Sequence, residues 1–128
     1  GSDSHTVVNP FEEVRLIENN ERLQRRERNV LAGLMQPSQQ PSGALRIAPG
    51  LLQAGSQHGA RALGLNAGKI APGSLADLIA VDLDDPFIRD IDEQQLAEAL
   101  VFSAGPRCLT EVWVGGKTRF SRERTKFT

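Results

Sequence analysis

The 128-residue sequence contains a single cysteine, Cys108. One thiol forms no internal disulfide and no Cys-rich zinc site, which favours a reducing, cytoplasmic setting. Neither sign of charge is in excess, since 15 Lys and Arg face 16 Asp and Glu. That balance argues against a general nucleic-acid or anionic-membrane surface. No apolar run approaches the roughly 20 residues of a membrane-spanning helix. There is no internal repeat, and the length suits one domain with a modest core. An initiating methionine is also missing, because the chain opens Gly1-Ser2-Asp3-Ser4-His5. The expectation is therefore the C-terminal part of a longer protein.

What is present begins with a helix-start signal at Asn9-Pro10. Asn9 can cap, Pro10 fits the first helical position, and Glu12 stands where a capping box places its acid. Phe11, Val14 and Ile17, with Leu16 offset, give an apolar stripe at helical spacing. Asn19-Asn20 is expected to break or bend this helix. A second helical run then carries Leu23, Val30, Leu31 and Leu34 on one side. Residues 36–43, rich in Pro, Ser and Gln, read as a polar linker. A third helix is predicted from Pro49 to Leu63, stopped by Gly64. Pro72-Gly73 reads as a turn between two strands, the second of them Ala76 to Asp82. Glu93 to Phe102 is predicted as a short amphipathic helix. Gly115-Gly116, between Glu111–Val114 and Lys117–Phe120, is a two-residue hairpin signal. Three or four short strands make a poor sheet alone, so they are expected to belong to a larger one.

Few residues could carry chemistry. Asp3 lies between small residues just ahead of a helix start, where a loop at a strand end presents a carboxylate. It could bind a divalent metal and accept a proton from water, or simply cap a turn. His5 would point the same way as Asp3 in extended backbone. It could be a ligand, a residue that orients one, or a histidine hydrogen-bonded at the rim. His58 has no acid, His or Cys at ligand spacing and reads as structural or exposed. Arg22, Arg25, Arg26 and Arg28 alternate with Glu18, Glu21 and Glu27, the pattern of a solvated helix face. Gly68 to Gly73 lacks the Gly-Lys-Ser/Thr ending of a phosphate loop. Trp113 reads as an aromatic packed beside the hairpin.

Two segments together resemble the amidohydrolase superfamily. Gly1-Ser2-Asp3-Ser4-His5 is similar to the loop after the eighth barrel strand of those metal-dependent hydrolases. Gly68-Lys69-Ile70-Ala71-Pro72-Gly73-Ser74-Leu75-Ala76-Asp77-Leu78 is similar to the Gly-x-Ile-x-x-Gly-x-x-Ala-Asp-Leu segment with which the chain re-enters the small β-sandwich. Within the superfamily, Asn9-Pro10-Phe11-Glu12-Glu13-Val14-Arg15, Arg28-Asn29-Val30-Leu31-Ala32 and Gly59-Ala60-Arg61-Ala62-Leu63-Gly64-Leu65 resemble the formimidoylglutamate deiminases.

The resemblance implies an α/β fragment. Residues 1–66 would hold the last strand-end loop and terminal helices of a (β/α)8 barrel, with the linker at 36–43. Residues 67–120 would supply strands of the small β-sandwich with an inserted helix, and 121–128 a frayed tail. It also implies hydrolysis of N-formimino-L-glutamate, a small-molecule substrate, to N-formyl-L-glutamate and ammonia in histidine breakdown. The implied cofactor is a divalent metal, zinc. Asp3 would be metal ligand and proton shuttle, with His5 more naturally beside the ligands than among them. The substrate-binding residues would lie outside this chain, and the parent would be a homo-oligomer. The chain alone is expected to be inactive, because it offers one metal-ligand candidate where a catalytic zinc uses three protein ligands. Two other readings are a superfamily deaminase or chlorohydrolase acting on a heterocycle, and a non-catalytic binding module.

Overall fold

The computed structural model describes residues 8–32 and 46–122. The linker and Leu34 lie outside those residues, as do Asp3, His5 and the tail from 123 onward.

Helix α1 spans Pro10–Arg25. Asn9 is extended, and its Oδ1 accepts from the Phe11 amide at 3.1 Å. Its backbone carbonyl accepts from Glu12 and Glu13 at 3.0 Å. Glu12 and Glu13 in the first turn and Arg22 and Arg25 in the last complement the helix dipole. Asn19-Asn20 does not interrupt the helix. Asparagine costs only about 0.7 kcal/mol or less in a helix, and the ion pairs Glu18–Arg22 (2.6 Å) and Glu21–Arg25 (3.0 Å) span the site. The helix ends instead at Arg26, which is left-handed and donates its amide to the Arg22 carbonyl. A further left-handed residue, Asn29, turns the chain again. Leu23 and Leu31 therefore do not share one helical side: Leu23 is 78% exposed and Leu31 is buried.

The third helical prediction holds in extent but not in regularity. Helix α2 (Ala48–Gln53) widens into a π turn (Ala54–His58) and continues as α3 (Gly59–Ala62). Gly64 and Leu65 close it by donating to the carbonyls of Arg61 and Ala60, the Schellman pattern. After Gly64 the chain is irregular up to Asp77. The Pro72-Gly73 turn consequently does not join two strands. It is tied back to Asn66, whose side-chain amide donates to the Gly73 carbonyl and whose own carbonyl accepts from Leu75.

Strand β1 (Leu78–Val81) leads through an aspartate-rich loop to a 3-10 turn (Glu93–Gln95) and helix α4 (Leu96–Phe102). Asp92 caps that turn by accepting from the Gln94 amide at 2.7 Å. A second 3-10 turn (Pro106–Cys108) delivers the chain to β2 (Leu109–Val114), and β3 (Lys117–Ser121) returns from it. The sheet is antiparallel in the order β1-β2-β3. Gly115 and Gly116 both have positive φ, as a type I′ hairpin requires. Asp77 braces the hairpin, its Oδ1 accepting from the Gly115 amide at 2.7 Å. The last strand runs one residue beyond the expected Phe120, and the Arg122 amide still donates to Thr110.

Two apolar clusters form the core. Leu31, Ala32, Ile47, Ala48, Leu51 and Val101 make one, and Phe11, Ile88, Ala99, Ala104 and Cys108 the other. Helix α4 contributes to both. Ile79, Val112 and Phe120 stand opposite one another across the three strands. Ile79 and Phe120 remain 57% and 43% exposed, so this face of the sheet is largely uncovered among the described residues.

The motif glycine Gly68 is explained by this packing. Its φ is +75°, and a Cβ there would stand 2.4–2.6 Å from backbone atoms of Ser56 and Gln57 in the π turn. Gly68→Ala is expected to lower unfolding stability by about 2–4 kcal/mol, from left-handed strain plus overpacking. Gly73→Ala has equally positive φ but no atom within 4 Å of the new methyl. It should cost about 1 kcal/mol. Denaturant midpoints of the two variants check the difference.

Candidate functional site

The chemistry-bearing loop predicted from sequence, with Asp3 and His5, lies outside the described residues. The described residues begin just ahead of helix α1. Six residues after Asp3, Asn9 caps α1, and the first two turns of that helix are held from one side. Phe11 is buried with Ile88, Ala99, Ala104 and Cys108. Arg15, four residues on and on the same face, crosses to the end of α4. Its Nε donates to the Val101 carbonyl and its Nη2 to the Ala104 carbonyl, both at 2.9 Å. The Val101 carbonyl lies in the last turn of α4, where intrahelical donors run out, and that of Ala104 just beyond the helix.

The other ionisable residues do not assemble a centre. Among the described residues no group of three or more His, Cys, Asp or Glu could hold a metal ion. His58 is exposed on the π turn, one of the two environments expected for it. Cys108 is fully buried and its Sγ donates to the Gly105 carbonyl. Burial pushes its thiol above the usual range, which makes it a poor nucleophile or metal ligand. Glu98 lines an open cleft beside Arg46, Ile91, Gln95, Phe102 and Ser103. Among the described residues, both its carboxylate oxygens are buried without a hydrogen-bond partner.

The arginine-rich stretch is neutralised in part, and Arg26 and Arg28 are exposed. Arg22 and Arg25 are paired along α1, as the alternating charges predict. Glu18 departs from the expected solvated face. It is completely buried, with Oε1 accepting from Arg22 and from the Val30 amide and Oε2 from the Leu31 amide. Nothing in the charge pattern distinguishes it from Glu21. The only available signal was its place four residues after Val14 on the inward side of the helix.

The sequence profile of the amidohydrolase family matches residues 11–119. This chain belongs to the amidohydrolase family. Its relatives include a formimidoylglutamate deiminase of Pseudomonas aeruginosa, 35% identical over 91% of this chain and 24% of that protein. A 5-methylthioadenosine/S-adenosylhomocysteine deaminase of Thermococcus sibiricus is 34% identical over 71% of this chain and 21% of that protein. In three dimensions the chain is similar to an adenosine deaminase from Xanthomonas campestris with bound zinc. The TM-score is 0.68 and the identity 26%, over 87% of this chain and 22% of that one. The chain thus spans about a quarter of the length of these relatives. They are hydrolytic enzymes that release nitrogen from carbon. The family match begins beyond Asp3 and His5.

Among the described residues, no helix of this amidohydrolase chain is long and apolar enough to cross a membrane.

Proposed function

We propose that this chain is the C-terminal part of an amidohydrolase that deiminates N-formimino-L-glutamate to N-formyl-L-glutamate and ammonia. The observation that carries this reading is the breadth of the match to a formimidoylglutamate deiminase, 91% of the chain, against 71% for the thioadenosine deaminase. In this reading residues 1–66 close the barrel and 67–120 supply strands of a small sandwich, whose remaining strands would cover the apolar row Ile79, Val112 and Phe120. The enzyme would be cytoplasmic and homo-oligomeric.

The ligand proposed for this chain is Asp3, with His5 beside it. A divalent metal, zinc by analogy with the bound ion of the Xanthomonas campestris enzyme, supplies Lewis acidity that activates water. Asp3 would help hold that metal through its carboxylate, and would take a proton from water and pass one to the departing ammonia. His5 would orient that ligand rather than bind the metal.

The near-equal identity of the thioadenosine deaminase, and the adenosine deaminase fold match, favour a second reading in which the substrate is an aminated heterocycle. Ammonia release by the full-length, zinc-loaded protein separates the two. Turnover of N-formimino-L-glutamate and not of adenosine or methylthioadenosine is expected. The opposite preference overturns the first reading in favour of the second.

His5→Ala in that protein should cost about 10–100-fold in activity or metal affinity, the usual effect of removing a residue that orients a ligand. Chelator-competition titration of zinc checks it. Complete loss of metal would make His5 a direct ligand.

A further inference from the structure

We infer that the cleft beside helix α4 binds a small zwitterion, with its cationic nitrogen on Glu98 and its carboxylate on Arg46. The inference does not rest on the deiminase reading.

The cleft follows from how α4 is set in the fold. Ala99 and Val101 are buried in the two apolar clusters. Gln95, Glu98 and Phe102, spaced three and four residues apart, fall together on one side of the helical stretch. With Arg46, Ile91 and Ser103 they line an open cleft of about 450 Å³, within the range of small-molecule sites. Its apolar wall is Phe102 together with the part-exposed Ile91. Phe102 is held in place by the first cluster and by the Arg22 guanidinium, 5.6 Å from its ring centroid.

Two residues of opposite charge line this cleft without joining each other. Both Glu98 oxygens are closed off from water, and among the described residues neither has a hydrogen-bond partner. A carboxylate so placed is destabilising until it gains a donor. Arg46 does not supply one. Its Nη1 donates to the Gln94 carbonyl, which pins the guanidinium at the cleft and leaves the rest of the fork for an anion. Glu98 as a whole is only half-buried, so rotation about its side-chain torsions brings the carboxylate to the cleft. There an N–H donor on a ligand turns an unpartnered anion into a charge-assisted pair. A simple cation would be opposed by Arg46, and a simple anion would leave Glu98 without its donor. A molecule with both charges satisfies both residues, and its aliphatic stem lies on Ile91 and Phe102. Binding sites retain such groups at the expense of stability.

The test titrates the full-length protein with γ-aminobutyrate and the longer ε-aminocaproate, followed by calorimetry. Butylamine and butyrate, each lacking one charge, are the controls. Glu98→Gln removes the anion at nearly constant shape, and Gln95→Trp fills the cleft from its rim. At least one probe should bind, and the controls should bind about 10-fold more weakly or worse. Glu98→Gln should weaken the probe by about 10-fold or more, the worth of one bond to a charged group. Gln95→Trp should abolish binding. Without any probe, Glu98→Gln should melt at or above the parental midpoint, because it loses no bond.

Absence of binding by both probes overturns the inference. So does equal affinity in the parent and both variants, which would put the probe elsewhere on the protein. A lowered midpoint for Glu98→Gln, or its failure to fold, overturns it too, since the carboxylate would then already have a donor beyond the described residues. If Gln95→Trp does not fold, Glu98→Gln decides alone.

Discussion

In the full-length enzyme, Asp3→Asn should nearly abolish turnover, by about 10³-fold or more, while the melting midpoint stays close to that of the parent. The expected loss combines two effects. Proton transfer by a positioned carboxylate contributes about 10²–10⁴-fold, and asparagine offers no basic oxygen at neutral pH. The amide also replaces an anionic ligand by a neutral one, so zinc affinity should fall. Folding is expected to change little, because the substitution preserves shape and Asn serves a turn or cap as well as Asp does. Steady-state rates and zinc content together check the prediction. A variant that retains near-parental turnover would return Asp3 to its other reading, a turn-capping residue. Asp3→Ala is the useful companion, because it removes the ligand outright and should release more metal than Asp3→Asn.

The parts of the fold legible in the sequence are those governed by local chemistry. Asn9-Pro10 announces a helix start because one residue supplies the acceptor and the next lacks the donor that would go unpaired. Gly64 stops the helical stretch before it, and Gly115-Gly116 makes the hairpin, since both need positive φ. The features that escaped are decided by distant contacts. Asn19-Asn20 looks like a break, yet i,i+4 ion pairs and the packing of α1 on α4 outweigh a small propensity cost. The π turn has no composition of its own. It sits where α1 crosses close, with a Cβ built on Gly55 only 2.6 Å from Val14. Gly68 reads as a turn glycine from sequence, but its stronger constraint is the backbone of residues 56 and 57 pressed against it. For the candidate site, Asp3 was marked by its neighbours and by family resemblance. Arg15 could not be singled out, because an arginine among acids on a helix resembles any solvated pair until its acceptors 86 and 89 residues away are known.

Glu18→Ala should destabilise the protein by about 3–5 kcal/mol, the range expected when a buried ionic partner is removed. The carboxylate is 0% exposed and serves three donors at once. The Val30 and Leu31 amides donate to it at 3.1 Å, and Arg22 donates from Nε at 2.6 Å. Alanine leaves two backbone N–H groups without their acceptor, one buried at Leu31 and one half-buried at Val30, and a buried group left so costs about 1–3 kcal/mol. It also releases Arg22, whose guanidinium reaches Asn29 Oδ1 and lies 5.6 Å from the Phe102 ring centroid. Those contacts fasten the turn after α1 onto α4, and Leu31 and Ala32 enter the core immediately beyond it. Glu18→Gln should cost less, about 1–3 kcal/mol, because its single carbonyl oxygen still accepts while its NH2 group faces a donor. Against a typical domain stability of about 5–15 kcal/mol, the alanine variant should show a clearly lower denaturant midpoint with an unchanged slope. Glu21→Ala is the internal comparison, since Glu21 makes the same i,i+4 pair with Arg25 on the open side of the helix. It should shift stability by no more than about 0.5 kcal/mol. Equal midpoints for Glu18→Ala and Glu21→Ala would mean that the carboxylate is not the keystone of that turn.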